Sequence, residues 1–298
     1  MKIILVVLLG FTLFCTLWGT APAGESTGLK ITILYDNYVY TPGTKSDWGF
    51  ACLIEGTEKT ILFDTGTKSS ILLHNVKTLG VDLNKVEMIV ISHNHGDHTG
   101  GLYTVLTQYK RVPVYMPAST GDEIVKKMED DGVRVYREAK PVKLCEKVFL
   151  TGEMGDSIKE QSLVIDSPGG LIVLTGCAHP GIVKITERSA TAAHDVAKRY
   201  SSQEKSSQEN KISVNNNTER AKKMYPGRKI RLVLGGFHLM RKSDKQLAEI
   251  IERFREMGVL KVGATHCTGD HAIEVIKKAY GKDFIRLGTG KKLLLSDI

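Results

Sequence analysis

From Leu29 onward the chain alternates between short β-branched and apolar runs and polar breaks at Gly, Asp and Asn. Runs of four to eight such residues read as strands, and apolar residues recurring every three or four positions read as helices. Leu29 to Tyr35, Phe50 to Ile54 and Thr60 to Phe63 are predicted as consecutive strands, and Ser69 to Leu79 as a helix. Val86 to Ser92 is a buried strand that ends in a polar loop. A helix over Gly101 to Tyr109, a strand over Val112 to Met116 and a helix over Gly121 to Asp131 follow. Val133 to Tyr136, Lys147 to Thr151 and Ser162 to Ile165 complete the first half as strands. Beyond them, strands are predicted at Leu171 to Leu174, Ile230 to Leu234, Val259 to Ala264 and near Lys292 to Leu295. The helices between them begin at Gly181 to Arg188 and cover Lys245 to Met257 and Ala272 to Ala279. Many strands with interspersed helices imply sheets covered by helices, and two sheets packed face to face with helices outside would use every element.

Two stretches break this rhythm. Met1-Lys2, the apolar run Ile3 to Gly19 and the small-residue triplet Ala21-Pro22-Ala23 have the three-part layout of a cleaved secretory signal, so residues 1–23 are read as one. The chain is therefore expected in the periplasm or outside the cell, the alternative being an uncleaved N-terminal membrane anchor. The second stretch, near 200–223, is almost devoid of large apolar groups and is expected to be a flexible polar insertion. Residues 24–298 otherwise read as one domain.

Of the 298 residues, 42% are hydrophobic and 25% charged, which excludes wholesale disorder and a small disulfide-stapled scaffold. The formal charge of +8 falls to +7 once Lys2 leaves with the signal. That excess is spread along the chain without aromatic interleaving, so a small-molecule substrate is expected and a nucleic-acid partner is not. Cys52, Cys145, Cys177 and Cys267 show no C-x-x-C spacing, and their pairing and the oligomeric state are open.

Seven of the nine histidines fall in four short segments, each placed after a predicted strand. The densest is Ser92-His93-Asn94-His95-Gly96-Asp97-His98. In a chain still extended after its strand, His93 and His95 point to one side and can grip one metal ion. A turn at Gly96 then aims Asp97 and His98 at a second. One loop supplies too few ligands for two ions, so His179 and His266, at other strand ends, are predicted to complete them. Cys177 and Cys267 flank ligand positions, and backbone alternation is expected to point them elsewhere, into packed roles. His74 and His194 fall outside any motif and are read as surface residues, and His271 stays open between site and surface.

His93-x-His95-x-Asp97-His98, preceded by Phe63-Asp64-Thr65-Gly66 and followed by His179 and His266, resembles the metallo-β-lactamase-fold hydrolases. Thr175 to Gly181, Gly235 to Leu239 and Thr265 to Gly269 look most like the branch that holds an archaeal dihydropterin-ribofuranosylaminobenzene phosphate synthase and its bacterial relatives. The resemblance implies a four-layer αββα sandwich with two divalent ions at one edge, zinc best suiting the ligands and manganese or iron being compatible. His93, His95 and His179 would hold the first ion. Asp97, His98 and His266 would hold the second, with Asp64 orienting ligands rather than binding metal. Many relatives place a bridging aspartate where this chain has Gly235-Gly236-Phe237-His238, so His238 becomes a candidate ligand, substrate-binding or proton-transfer group.

The implied activity is hydrolysis of an ester, lactone, amide or phosphodiester by a hydroxide bridging the two metals, with Asp97 and His238 in catalytic roles. Two alternatives stand beside it: an iron-dependent redox or dioxygenase enzyme of the same fold, and a non-catalytic periplasmic metal- or ligand-binding protein.

Overall fold

The computed structural model describes residues 28–207 and 228–298. Strands β1 (Lys30–Tyr35), β2 (Ala51–Glu55), β3 (Ile61–Phe63), β4 (Met88–Val90), β5 (Val114–Pro117), β6 (Val135–Glu138) and β13 (Lys292–Leu294) form a seven-stranded sheet ordered β13-β1-β2-β3-β4-β5-β6. β7 (Val142–Cys145), β8 (Val148–Leu150), β9 (Leu163–Ser167), β10 (Gly170–Thr175), β11 (Ile230–Gly236) and β12 (Lys261–Thr265) form a six-stranded sheet ordered β12-β11-β10-β9-β8-β7. Each sheet carries a parallel block: β3 to β6 in the first, β10 to β12 in the second.

Alternation along the strands builds the layers, because successive side chains leave a strand on opposite faces. Ile31, Ile33 and Phe63 of the first sheet meet Leu163, Ile165, Ile172, Leu174, Leu232 and Leu234 of the second in one inter-sheet core. The intervening residues face outward onto helices. Leu34, Leu62 and Ile89 pack against α1 (Ser69–Thr78), α3 (Leu102–Gln108) and α4 (Asp122–Asp130) through Leu72, Val105 and Met128. Val164, Val173, Val233 and Val262 pack against α5 (Ile182–Ser207), α6 (Asp244–Glu256) and α7 (Asp270–Tyr280) through Ile185, Leu247, Phe254 and Ile276. Helix, sheet, sheet and helix thus stack as the expected αββα sandwich. Each fully buried Leu, Ile or Phe contributes about 1.5–3 kcal/mol over its exposed state, so three contiguous cores supply the main driving force.

Two elements depart from the sequence reading. β7, an edge strand of four residues behind Pro141, has no counterpart among the predicted elements; its alternating V-K-L-C is too short to register as a periodic run. α5 continues to Ser207, past the Tyr200 at which the polar insertion was set to begin. Its Glu, Lys and Gln residues are good helix formers even without an apolar stripe. The remainder of that stretch and the predicted export segment lie outside the described residues. Among the described residues, no helix is long and apolar enough to cross a membrane.

Candidate metal centre

The parallel strands of both sheets end at the same edge, and the chemistry-bearing residues follow their C-terminal ends. Asp64 follows β3, and the His93 to His98 segment follows β4. Cys177 and His179 follow β10, His238 follows β11, and His266 follows β12. His95 is extended at φ −80, ψ 148 and precedes the short helix α2 (Gly96–Thr99), so the predicted turn at Gly96 is the start of a helix.

His93, His95 and His179 bring one ligand atom each within 4.8 Å of one another, and so do Asp97, His98, Cys177 and His266. All six predicted ligands therefore converge, in the two predicted sets. The ring centroids of His93 lie 4.5 Å from His95, 4.3 Å from His98 and 4.7 Å from His179. The His238 ring lies 4.6 Å from that of His179, tilted by 36°, and forms a third group with Cys177 and His179. His271 lies elsewhere, in an exposed ion pair with Asp244. His74 meets the Gly43 carbonyl at 2.8 Å, and the side chain of His194 is outside the described residues.

Four of the imidazoles are held from behind. The buried Asp64 carboxylate accepts Ser92 N at 2.7 Å, Ser92 Oγ at 2.7 Å and His98 Nδ1 at 2.7 Å. With its hydroxyl proton committed to Asp64, Ser92 Oγ accepts from His93 Nδ1 at 2.9 Å. His179 Nδ1 donates to Glu160 Oε2 at 3.0 Å, and His266 Nδ1 donates to Asn37 Oδ1 at 2.8 Å. Four rings thus carry their proton on Nδ1 and turn the Nε2 lone pair inward, the tautomer that binds metals.

Those lone pairs are short of donors: one has no partner, and two face a single thiol. His93 Nε2 is buried without a hydrogen-bond partner, a cost of about 1–3 kcal/mol that a cation would remove. His98 Nε2 and His266 Nε2 lie 3.5 and 3.3 Å from Asp97 Oδ2. They also lie 3.2 and 3.3 Å from Cys177 Sγ. The one Cys177 thiol proton cannot serve both rings, and Asp97 offers only acceptors, so the cluster calls for positive charge. Without metal, a proton supplies it: burial opposes the charge on His98, yet Asp64 and Asp97 hold its imidazole up to about 10. Burial and the neighbouring rings instead push His93 down to about 2. The donor set of imidazole, carboxylate and thiol fits one or two divalent transition-metal ions.

The Cys177 thiol contradicts the sequence expectation. Cys177 stands two positions from His179, the spacing that turns two side chains of an extended segment to one side as at His93 and His95, and both face the cluster on either side of Ala178 at φ 59. Gly176 makes the turn possible, since a Cβ there would run into Ser92 Oγ. Cys267 keeps the expected packed position, 3.5 Å from the Cys177 carbonyl.

Glu160, Asn37 and Trp48 had no signal in the sequence. Glu160 follows no strand-end motif, yet its buried carboxylate accepts backbone N–H groups of Cys177, Ala178 and His179 at 3.0, 2.9 and 2.9 Å. Burial would raise its pKa, but His179 and those amides hold it down to about 2. A carboxyl lowered in the fold contributes stability above its ordinary value of 4.5 and loses it as pH falls towards 2. Glu160→Gln is therefore expected to cost about 1–3 kcal/mol at pH 7, with the deficit shrinking in urea melts near pH 3. Metal affinity should fall about 10- to 100-fold.

The comparisons agree with this geometry. Residues 49–212, just over half of the chain, match the family model of the metallo-beta-lactamase superfamily. The chain belongs to that superfamily. Its members are largely metal-dependent hydrolases, and the fold binds divalent ions. A 7,8-dihydropterin-6-methyl-4-(beta-D-ribofuranosyl)-aminobenzene-5'-phosphate synthase of Methanocaldococcus jannaschii is 29% identical, over 90% of this chain and 97% of its own length. A hydroxyacylglutathione hydrolase of Buchnera aphidicola is 27% identical over 40% of this chain and 39% of its own. Tm1679, a metal-dependent hydrolase of the beta-lactamase superfamily, superposes with a TM-score of 0.64 at 24% identity, covering 90% of this chain and 99% of that one. The short form of human tRNase Z shares the fold at a TM-score of 0.51 and 13% identity, over 89% and 98% of the two chains.

Proposed function

We propose that this superfamily member is an exported metal-dependent hydrolase that takes two divalent ions, zinc foremost, and cleaves an ester, lactone, amide or phosphodiester of a small molecule. The observation that carries the reading is the convergence of Nε2 atoms from separate strand ends, backed on Nδ1 and unpartnered at His93. His93, His95 and His179 would hold one ion. Asp97, His98 and His266 would hold the other, with the Cys177 thiol within reach of the same set. When bound, such ions lower the pKa of water towards ~7 and polarise a substrate oxygen.

The chain's own residues supply the rest. Trp48 Nε1 donates to Asp97 Oδ2 at 2.9 Å and fixes the orientation of that carboxylate. Asp64, Glu160 and Asn37 keep the imidazole rings preorganised, so little rearrangement accompanies the reaction. Exposed His238 stands at the mouth, where it can give a proton to a leaving group or hold a substrate oxyanion. The export part of the reading rests on the apolar segment and its Ala21-Pro22-Ala23 site.

Metal analysis of the purified protein should find up to two zinc equivalents. Turnover in a screen of phosphodiesters, lactones and β-lactams should vanish with a chelator and return with added Zn²⁺. Undiminished turnover by the metal-stripped protein would falsify the reading.

A further inference from the structure

We infer that the substrate of this centre carries an anionic group beside a flat apolar group, with Arg241 and Lys242 holding the anion and Trp48 and Met240 the apolar part; this rests on the hydrolase reading above. His238 lies between two clefts of about 470 and 510 Å³. The larger is lined by Trp48, Met240, Arg241 and Lys242. Its chemistry is uneven in a way that points to a ligand.

The walls are fixed. Phe237 and Leu239 are buried in the core between sheet and helices, so His238 and Met240, alternating with them, turn outward. The Lys242 amide closes a turn onto the Leu239 carbonyl at 2.9 Å, and Ser243 then starts α6 with a capping box to Gln246. Across the cleft, the Trp48 indole is tied by its N–H to Asp97 and leans on His266 at 5.0 Å between ring centroids. One face of a rigid aromatic plate is thereby left open.

Trp48 and Met240 remain 46% and 59% exposed. Large apolar side chains left uncovered side by side next to reactive groups are a recognition surface rather than a packing leftover. Beside them, the Arg241 guanidinium and Lys242 ammonium make no side-chain hydrogen bond or ion pair among the described residues. Arg137, Arg188, Arg228 and Arg253 each pair with a carboxylate. Two uncompensated cations beside an apolar plate suit a carboxylate or phosphate joined to an aromatic or similarly flat group.

Trp18 and Trp48 are the two tryptophans of the chain, so in a Trp18→Phe background fluorescence reports Trp48 directly. The zinc-loaded full chain is titrated with phenyl phosphate, phenylacetate and neutral benzyl alcohol. At least one anion should bind about tenfold or more tighter than the alcohol, the scale of charge-assisted contacts. The tighter of the two anions identifies the group. Arg241→Ala combined with Lys242→Ala should erase that advantage and leave benzyl alcohol binding and zinc content unchanged, while Lys277→Ala, in a different cavity, should not alter it. An anion preference that survives the double variant would place the anion on the metals and overturn the inference, as would the absence of any preference. Hydrolysis of 4-nitrophenyl pentanoate and of the mono-4-nitrophenyl ester of glutaric acid separates the two readings. Anion-selective binding without hydrolysis of either ester supports the cleft's chemistry and retires the hydrolase. Equal hydrolysis of both, with the double variant unchanged, keeps the hydrolase and retires the anionic substrate.

Discussion

Replacing His95 with alanine is expected to leave a folded protein that has lost its metal-dependent turnover. The His95 ring is exposed, and its structural contribution comes from the backbone carbonyl, which accepts the His98 and Thr99 amides at 3.0 and 3.1 Å and which alanine retains. Removing an exposed side chain of this kind changes stability by about 0.5 kcal/mol or less. The first ion, however, would keep two of its three protein ligands, His93 and His179. Turnover should fall by at least about 100- to 1,000-fold, the cost of losing one preorganised electrostatic contact, and the zinc content should fall towards one equivalent. Circular dichroism melts of the metal-free form and metal analysis separate the two effects. Near-normal turnover in the variant would remove His95 from the centre. His93 is a poorer probe of the same ion, because it is fully buried and its truncation also leaves a cavity.

Asp64→Ala is expected to give the largest loss of stability of any single change at the site. It strips the acceptor from Ser92 N, Ser92 Oγ and His98 Nδ1 together, in a place with no access to water. Burial pushes the Asp64 carboxyl up and His98 opposes that, so removal of the carboxylate leaves a buried, charge-prone imidazole uncompensated. Breaking a buried pair in this way costs about 3–5 kcal/mol, which in a chain of this size is a fall of roughly 10 °C in Tm. Metal affinity should fall as well, about 10- to 100-fold. Asp64→Asn should lie between the two, since asparagine tolerates the φ of 57 found there but directs an amide N–H at one of the present donors. The measurement is thermal unfolding in chelator, so that lost metal cannot mimic lost stability. An alanine variant as stable as the parent would show that Asp64 does not organise the cluster.

Much of the fold was legible because its code is local. β10 reads as an unbroken apolar run since both of its faces are covered, and α6 announces itself through the helical spacing of its apolar residues over Lys245 to Met257. β7 was not legible, because four residues at a sheet edge are stabilised by pairing with β8 rather than by any pattern of their own. The ligand histidines were legible from their density and their places after strands. Cys177 was misread because it stands two positions from His179 and not beside it, so that alternation groups it with that ligand.

The sequence by itself determined the order of the elements other than β7, their stacking as sheets covered by helices, and the inventory of side chains able to hold metal. These follow from interactions among residues within a few positions of one another, and such interactions leave a period in the chain. Only the tertiary structure decided which nitrogen faces inward, that Cys177 joins the cluster, and that Glu160, Asn37 and Trp48 support it. The bond from His266 to Asn37 spans 229 positions and that from His179 to Glu160 spans 19. Contacts of that kind have no period to read, because they exist only once two sheets have closed on a shared core and brought unrelated strand ends to one edge.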